Sequence, residues 1–204
     1  MSRRLLVTLV ALGLLSAAGI AVGIAGSRHS TTSTAEPAAQ RFEGAVLPPG
    51  VRAPDFTLRD QDGRPISMRQ FRGSPVVVTF LYTRCKNTCP VEAQQIKGAL
   101  DDLGRPVPAL AVSVDPAHDT AASARHFNAE QGIGGRLLWA LGPAPALRRL
   151  WKRFAVTGQS PKAEHMSVIL LVDRHGFERV GFPPEQTTPE RLAHDLAVLL
   201  REQA

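Results

Sequence analysis

Apolar and polar positions alternate through Ala53-Pro-Asp-Phe-Thr-Leu-Arg-Asp-Gln-Asp-Gly63, a period of two that predicts an extended segment closing on an Asp62-Gly63 turn. Ile66 to Phe71 continues to a second turn at Arg72-Gly73-Ser74-Pro75. The pattern then changes. Val76-Val-Val-Thr-Phe-Leu81 is an unbroken β-branched and aromatic run, as expected of a strand buried on both faces. Pro90 suits the first turn of a helix, and Val91 to Leu103 carries Ile96, Leu100 and Leu103 at helical spacing. Pro108 to Val114 reads as a second buried strand, and Thr120 as the cap of a helix over Ala121 to Gln131. Ala144 to Phe154 sets Leu147, Leu150, Trp151 and Phe154 on one face. Arg148, Arg149, Lys152 and Arg153 fall on the other, which reads as a solvated face.

Met166 to Val172 predicts a further strand, Asp173-Arg-His-Gly176 a turn, and Phe177 to Phe182 the returning strand. Thr188-Pro189-Glu190 opens a last amphipathic helix with Leu192, Leu196, Leu199 and Leu200 inward. The order is strand, helix, strand, helix, then hairpin and helix, with no internal repeat. Central strands joined through helices imply parallel neighbours. This is the topology of a thioredoxin-like α/β fold, a central mixed sheet flanked by helices.

The first residues have a different character. Ser2-Arg3-Arg4 precedes an uncharged run from Leu5 to Gly26, which matches the roughly 20 apolar residues needed to cross a bilayer core. Positive residues ahead of it favour a cytoplasmic N-terminus and a globular part outside. The expected organisation is a membrane anchor over 1–27, a flexible polar tether over 28–45 and the globular domain over 46–204, with packing beginning near Arg41. The localisation expected is therefore a single-pass protein of the cell membrane. A signal cleaved near Ala21 to Gly26 is the alternative reading of the same run. Of the formal net charge of +6, two units lie in this leader and tether, and the rest is spread among acidic residues without a basic stripe. Nucleic acid is therefore not an expected partner.

The chain has only two cysteines, and both fall in Phe80-Leu-Tyr-Thr-Arg-Cys-Lys-Asn-Thr-Cys-Pro90, where a buried strand meets a helix. The apolar content is ample for a core, so a disulfide staple is not needed, and so short a loop would lose little chain entropy. Two chemistries remain, a metal clamp or a dithiol/disulfide switch. The helix N-terminus and the flanking Arg84 and Lys86 favour thiolate, so both Cys85 and Cys89 are expected to have lowered pKa values. Zinc in a structural site wants four ligands, more than the chain offers here.

Phe80-x-Tyr-Thr-x-Cys85-x-x-x-Cys89-Pro90, then Val112-Ser-Val-Asp-Pro-x-x-Asp-Thr120, then His165 ahead of a strand ending in Asp173-x-x-Gly176, together resemble the SCO/SenC family of copper-binding proteins involved in cytochrome c oxidase assembly. The resemblance runs over most of Val51 to Leu200. It implies a thioredoxin-like fold and one copper ion held by Cys85, Cys89 and His165. It also implies delivery to the copper-A-bearing subunit of cytochrome c oxidase, or reduction of thiols there. Two soft thiolates and one imidazole suit Cu(I), whereas Cu(II) would take a further ligand that the sequence does not identify. Asp115 and Asp119 read as a loop-stabilising pair and helix cap, with docking or tuning of the copper site as the sharper alternative. His29, His118, His126, His175 and His194 read as structural or solvated. The competing function is a membrane-tethered thiol-disulfide oxidoreductase, with other copper donors or thiol reductants as partners.

Overall fold

The computed structural model describes residues 41–156 and 167–202. The expected membrane anchor, most of the expected tether and His165 lie outside the described residues. No described helix is long and apolar enough to cross a membrane.

The unbroken apolar runs form the middle of a six-stranded sheet. Strands β4 (Val76–Leu81) and β5 (Ala109–Ser113) are buried at every position and pair in parallel. Strand β6 (Leu137–Ala140) extends the parallel set on the far side of β5. Strands β7 (Ile169–Val172) and β8 (Glu178–Phe182) form an antiparallel hairpin, with β7 against β4, so the sheet is mixed. A two-residue strand β1 (Ala45–Val46) closes that side on β8, giving the order β1-β8-β7-β4-β5-β6. A small separate ribbon is made by β2 (Leu58–Arg59) and β3 (Pro65–Ile66).

Side chains alternate across this sheet with the period of two that pleating imposes. Val77, Leu81, Ala109, Ala111, Ile169 and Leu171 point to one face. There they meet helices α1 (Thr88–Leu103), α2 (Ala121–Glu130) and α4 (Pro189–Arg201). Val76, Val78, Phe80, Leu110 and Val112 point to the other face, against helix α3 (Ala144–Arg153) and the 3-10 turn Met68–Phe71. Helix α1 comes so close to α4 that a Cβ on Gly98 would stand 2.9 Å from the Pro189 ring.

Three expectations change. The alternation over Ala53 to Gly63 yields only the short strand β2, because its neighbours are held by side-chain bonds to the loop. The Asp60 carboxylate accepts from the backbone N–H of Asp62 and Arg64 at 2.8 Å each. Ile66 to Phe71 turns into a 3-10 segment at Met68 rather than staying extended. Packing begins near Arg41, as expected, so the tether ends short of the 45/46 boundary. Phe42 is buried in the core, and the fully buried Asp195 of α4 accepts from the backbone N–H of Glu43 and Gly44 at 2.9 Å each. Residues 41–45 therefore belong to the folded body rather than to a flexible tether.

Replacing Asp195 by Ala leaves two part-buried backbone donors without their acceptor and removes two charge-assisted bonds. The expected loss is about 3 kcal/mol of folding stability. Urea unfolding of the full-length chain in detergent checks this, and a loss below about 1 kcal/mol would mean that the N-terminal segment is not held this way.

Candidate functional site

The cysteines sit where β4 hands over to α1. After Leu81 the chain turns, with the Cys85 N–H donating to the Tyr82 carbonyl at 3.2 Å. Helix α1 then begins at Thr88, with Cys89 and Pro90 in its first turn. Asn87 occupies the N-cap position but makes no capping bond through its side chain. The Cys85 sulfur takes over that function, accepting the Cys89 backbone N–H at 3.2 Å. Pro90 carries no N–H, so it adds no unpaired donor to this helix end.

Both cysteines are free thiols and both are buried, Cys89 fully and Cys85 with 7% of its surface exposed. Their acidities diverge. The Cys85 pKa falls to about 5, chiefly because the Cys89 thiol donates a hydrogen bond to its sulfur. Burial opposes this, while the Cys89 and Asn87 backbone and the Tyr82 side chain add to it. The Cys89 thiol is pushed up, because it is the donor of that shared bond and is desolvated as well. The expectation that both pKa values fall is therefore corrected. The shared bond and burial favour negative charge on Cys85 over Cys89.

Asp119 and Asp115 are joined through the backbone, the Asp119 N–H donating to the Asp115 carbonyl at 2.9 Å, while their carboxylates take different partners. Asp119 accepts from the Thr83 backbone N–H and hydroxyl at 2.8 Å each, and from the Ser113 hydroxyl at 2.6 Å. It thus fastens the segment leading into the cysteine turn to the end of β5. Burial raises its pKa, against the hydrogen bonds it accepts. As expected, the helix cap is Thr120, whose side chain accepts from Ser123 in a reciprocal box. Asp115 takes the His118 Nδ1 at 2.9 Å and the Arg84 guanidinium at 3.4 Å, and so reaches the residue before Cys85. Asp173 is the turn residue expected. It accepts from the N–H groups of His175 and Phe177 and pairs with Arg179. His126 and His194 are paired with carboxylates on their own helices.

One site residue escaped the sequence reading. Glu92 lies one helical turn beyond Cys89 and is 1% exposed. Its carboxyl accepts from the Thr79 hydroxyl of β4 at 3.1 Å and from the Ser167 hydroxyl just ahead of β7. Burial pushes its pKa up to about 8, with the Cys85 charge adding to the rise and the Thr79 bond opposing it. The available signal was an acidic residue on the inward face of α1, three positions after Cys89 and in step with Ile96. Among the described residues, no cluster of three or more His, Cys, Asp or Glu side chains is disposed to hold a metal ion.

A mixed sheet with helices on both faces, and a pair of thiols at the exit of a central strand, define a thioredoxin-like domain. The SCO1/SenC family model matches residues 48–201, and the chain belongs to that family. It is 33% identical over 138 residues to the cattle (Bos taurus) mitochondrial SCO2 homologue, a match covering 64% of this chain and 50% of that protein. The chain thus spans about half the length of that relative. A shorter stretch of 89 residues, 44% of this chain and 40% of the other, is 35% identical to the chloroplastic peroxiredoxin Q of rice (Oryza sativa subsp. japonica). Among solved structures, ScoI of Bradyrhizobium japonicum with copper bound superposes with a TM-score of 0.62. It is 25% identical, over 72% of this chain and 99% of that one.

Two outcomes are expected of this geometry. In the reduced protein at about pH 6, iodoacetamide should alkylate Cys85 well ahead of Cys89, with a rate that titrates near about 5. Peptide mapping reads the site, and equal labelling would refute the split. Glu92 behaves oppositely with pH. Its folded pKa lies above the ordinary carboxyl value, so the folded state binds more protons than the unfolded chain between about 4.5 and about 8. Wild-type stability should therefore fall across that window relative to Glu92→Gln, the two converging at its acid end. Denaturation midpoints measured through the window check the sign.

Proposed function

We propose that this protein carries one Cu(I) on Cys85, Cys89 and His165 and passes it by ligand exchange to the copper-A-bearing subunit of cytochrome c oxidase. The observation that carries this reading is the pair of free thiols at the head of α1, where the Cys85 sulfur accepts the Cys89 N–H. Cu(I) is soft and monovalent. Its arrival displaces the Cys89 proton, so the two sulfurs and the metal together keep the same net charge of minus one. A divalent ion would change that charge and would want more donors. The family supports the assignment, as does the copper bound in the Bradyrhizobium ScoI structure. In sequence His165 stands two residues before Ser167, whose hydroxyl is bonded to Glu92 of the cysteine helix.

We also infer that the apolar run Leu5 to Gly26 anchors the chain in the cell membrane with the folded body on the extracytoplasmic side. There a copper donor loads the site and a thiol reductant keeps it competent.

A second reading rests on the acidity split. In thiol exchange the Cys85 thiolate attacks a disulfide of a partner, forming a mixed disulfide and releasing one partner thiolate. Cys89, giving up its proton, then attacks the Cys85 sulfur and releases the second. Two electrons pass to the partner and a Cys85–Cys89 disulfide remains, to be reduced by an external thiol. The partial likeness to a peroxiredoxin favours keeping this chemistry in view.

Copper titration of the reduced full-length chain separates the readings. One Cu(I) per chain is expected to be retained against a competing chelator. It should be lost in Cys85→Ala and Cys89→Ala and weakened about tenfold or more in His165→Ala. Binding indifferent to His165 would favour the dithiol reading.

A further inference from the structure

Helix α3 sets Leu147, Leu150 and Trp151 into the core and exposes Arg148, Arg149, Lys152 and Arg153. A helix face turned only to water usually mixes both signs, because opposite charges four residues apart attract and like charges repel. α3 has no acidic residue, and its cations stand as the like-charged pairs Arg148 with Lys152 and Arg149 with Arg153. Lys152 and Arg153 gain from the carbonyl end of the helix, whereas Arg148 and Arg149 lie too early to do so. Arg153 donates to the Asp55 carbonyl at 3.0 Å, and the Asp55 carboxylate is paired with Arg69. The imbalance extends beyond the helix. Together α3 and the stretch 47–75 beside it carry nine Arg and Lys against three Asp, whereas α1, α2 and α4 on the other face carry four against six acids.

This face adjoins the end of the sheet that holds the cysteines. Ser113, the last residue of β5, pairs with Leu81, from which the cysteine turn departs. The Trp151 indole N–H donates to the Ser113 carbonyl at 2.9 Å, and the Phe154 ring meets Phe80 of β4 edge-on at 5.2 Å. Lys152 and Arg153 stand in sequence between those two anchors. The cysteine turn adds Arg84 and Lys86, exposed on either side of Cys85, with Arg84 shared with Asp115. Among the described residues the exposed large apolar side chains are Val46, Val51 and Val91, none of them on α3. A contact made here is therefore governed by charge, which speeds encounter more than it strengthens a complex. That suits a partner that must leave after taking what Cys85 and Cys89 carry.

We propose that the basic face of α3 is a docking surface that steers an acidic protein partner onto the cysteine end of the sheet. The inference rests on the reading of this chain as a transfer protein, and it names the chemistry of the acceptor, a surface of Asp and Glu beside the groups that receive the cargo. Anionic lipid headgroups offer the same sign of charge. The position of the patch next to the cysteines favours the protein that has to meet them.

The test measures association of the reduced, metal-free full-length chain, in phosphatidylcholine nanodiscs, with the soluble copper-A-bearing domain of cytochrome c oxidase. The association rate constant should fall about tenfold or more between roughly 50 mM and roughly 0.5 M NaCl. Arg149→Glu combined with Lys152→Glu should slow it about tenfold or more at the lower salt and flatten the salt dependence. Arg149→Gln with Lys152→Gln repeats the test by neutralisation should the reversal unfold the chain. Arg105→Glu with Arg201→Glu, the same change of charge on exposed residues away from α3, should stay within about threefold of wild type. Association that is absent, indifferent to salt or equally sensitive to both pairs would overturn the proposal. So would protection of Lys152, but not of Lys97, from acylation when anionic phosphatidylglycerol replaces part of the lipid, which would assign the face to the membrane. Leaving out copper keeps the two readings apart. Failure to retain Cu(I) in a separate titration, with α3-dependent association intact, sinks only the copper reading. Normal retention with association indifferent to α3 sinks only the docking surface.

Discussion

A single sulfur organises this molecule's chemistry. The first turn of α1 needs an acceptor for its exposed N–H groups, and the Asn87 side chain does not supply one. Cys85 does so, which places its sulfur at the positive end of the helix and next to the second thiol. Helix start, thiolate and paired donor are thus one arrangement rather than three. The bracing around it follows from the same need. Thr83 is tied by Asp119, Arg84 by Asp115, and the far side of α1 by Glu92. Each holds in place a turn that has no regular structure of its own.

Carboxylates do this bracing throughout the body. Asp60 closes the β2–β3 ribbon, Asp173 the β7–β8 turn, and Asp195 the entry of the N-terminal segment. In each case the acceptor is aimed at backbone donors that lie outside the sheet and helices. Pairing such donors matters more than adding attraction, because an unpaired buried N–H costs more than a new hydrogen bond contributes. Glu92 differs, since its partners are side-chain hydroxyls and its own proton is held tightly.

The sequence made the core legible because the physics there is local and repetitive. The run Val76 to Leu81 and the Leu192, Leu196, Leu199 spacing each carry a single period, and both elements appear where expected. Strand β6 was missed for the opposite reason. Leu137-Leu-Trp-Ala140 is short, lacks β-branched residues, and owes its extended form to pairing with β5. The two-residue β1 likewise exists only through β8. At the site, the cysteines were visible by their rarity and position. Their unequal acidity was not, since it depends on which thiol donates to the other. Asp119 reads in the sequence as a loop-stabilising residue, but its bond to Thr83, 36 residues away, is visible only in the fold. Glu92 was hidden within a helix whose charged positions otherwise read as surface.

The way the sheet ends has a consequence for how other proteins can meet this one. One edge is the two-residue β1, and at the other the backbone beyond β6 is engaged by the β2–β3 ribbon. There Arg59 and Leu141 exchange both of their hydrogen bonds, at 3.1 and 2.8 Å. Little open backbone is left for a neighbouring chain to extend the sheet, which guards copies of the chain against edge-to-edge pairing. The cysteine chemistry is set apart from those closed edges, at the end of the sheet where β4 hands over to α1.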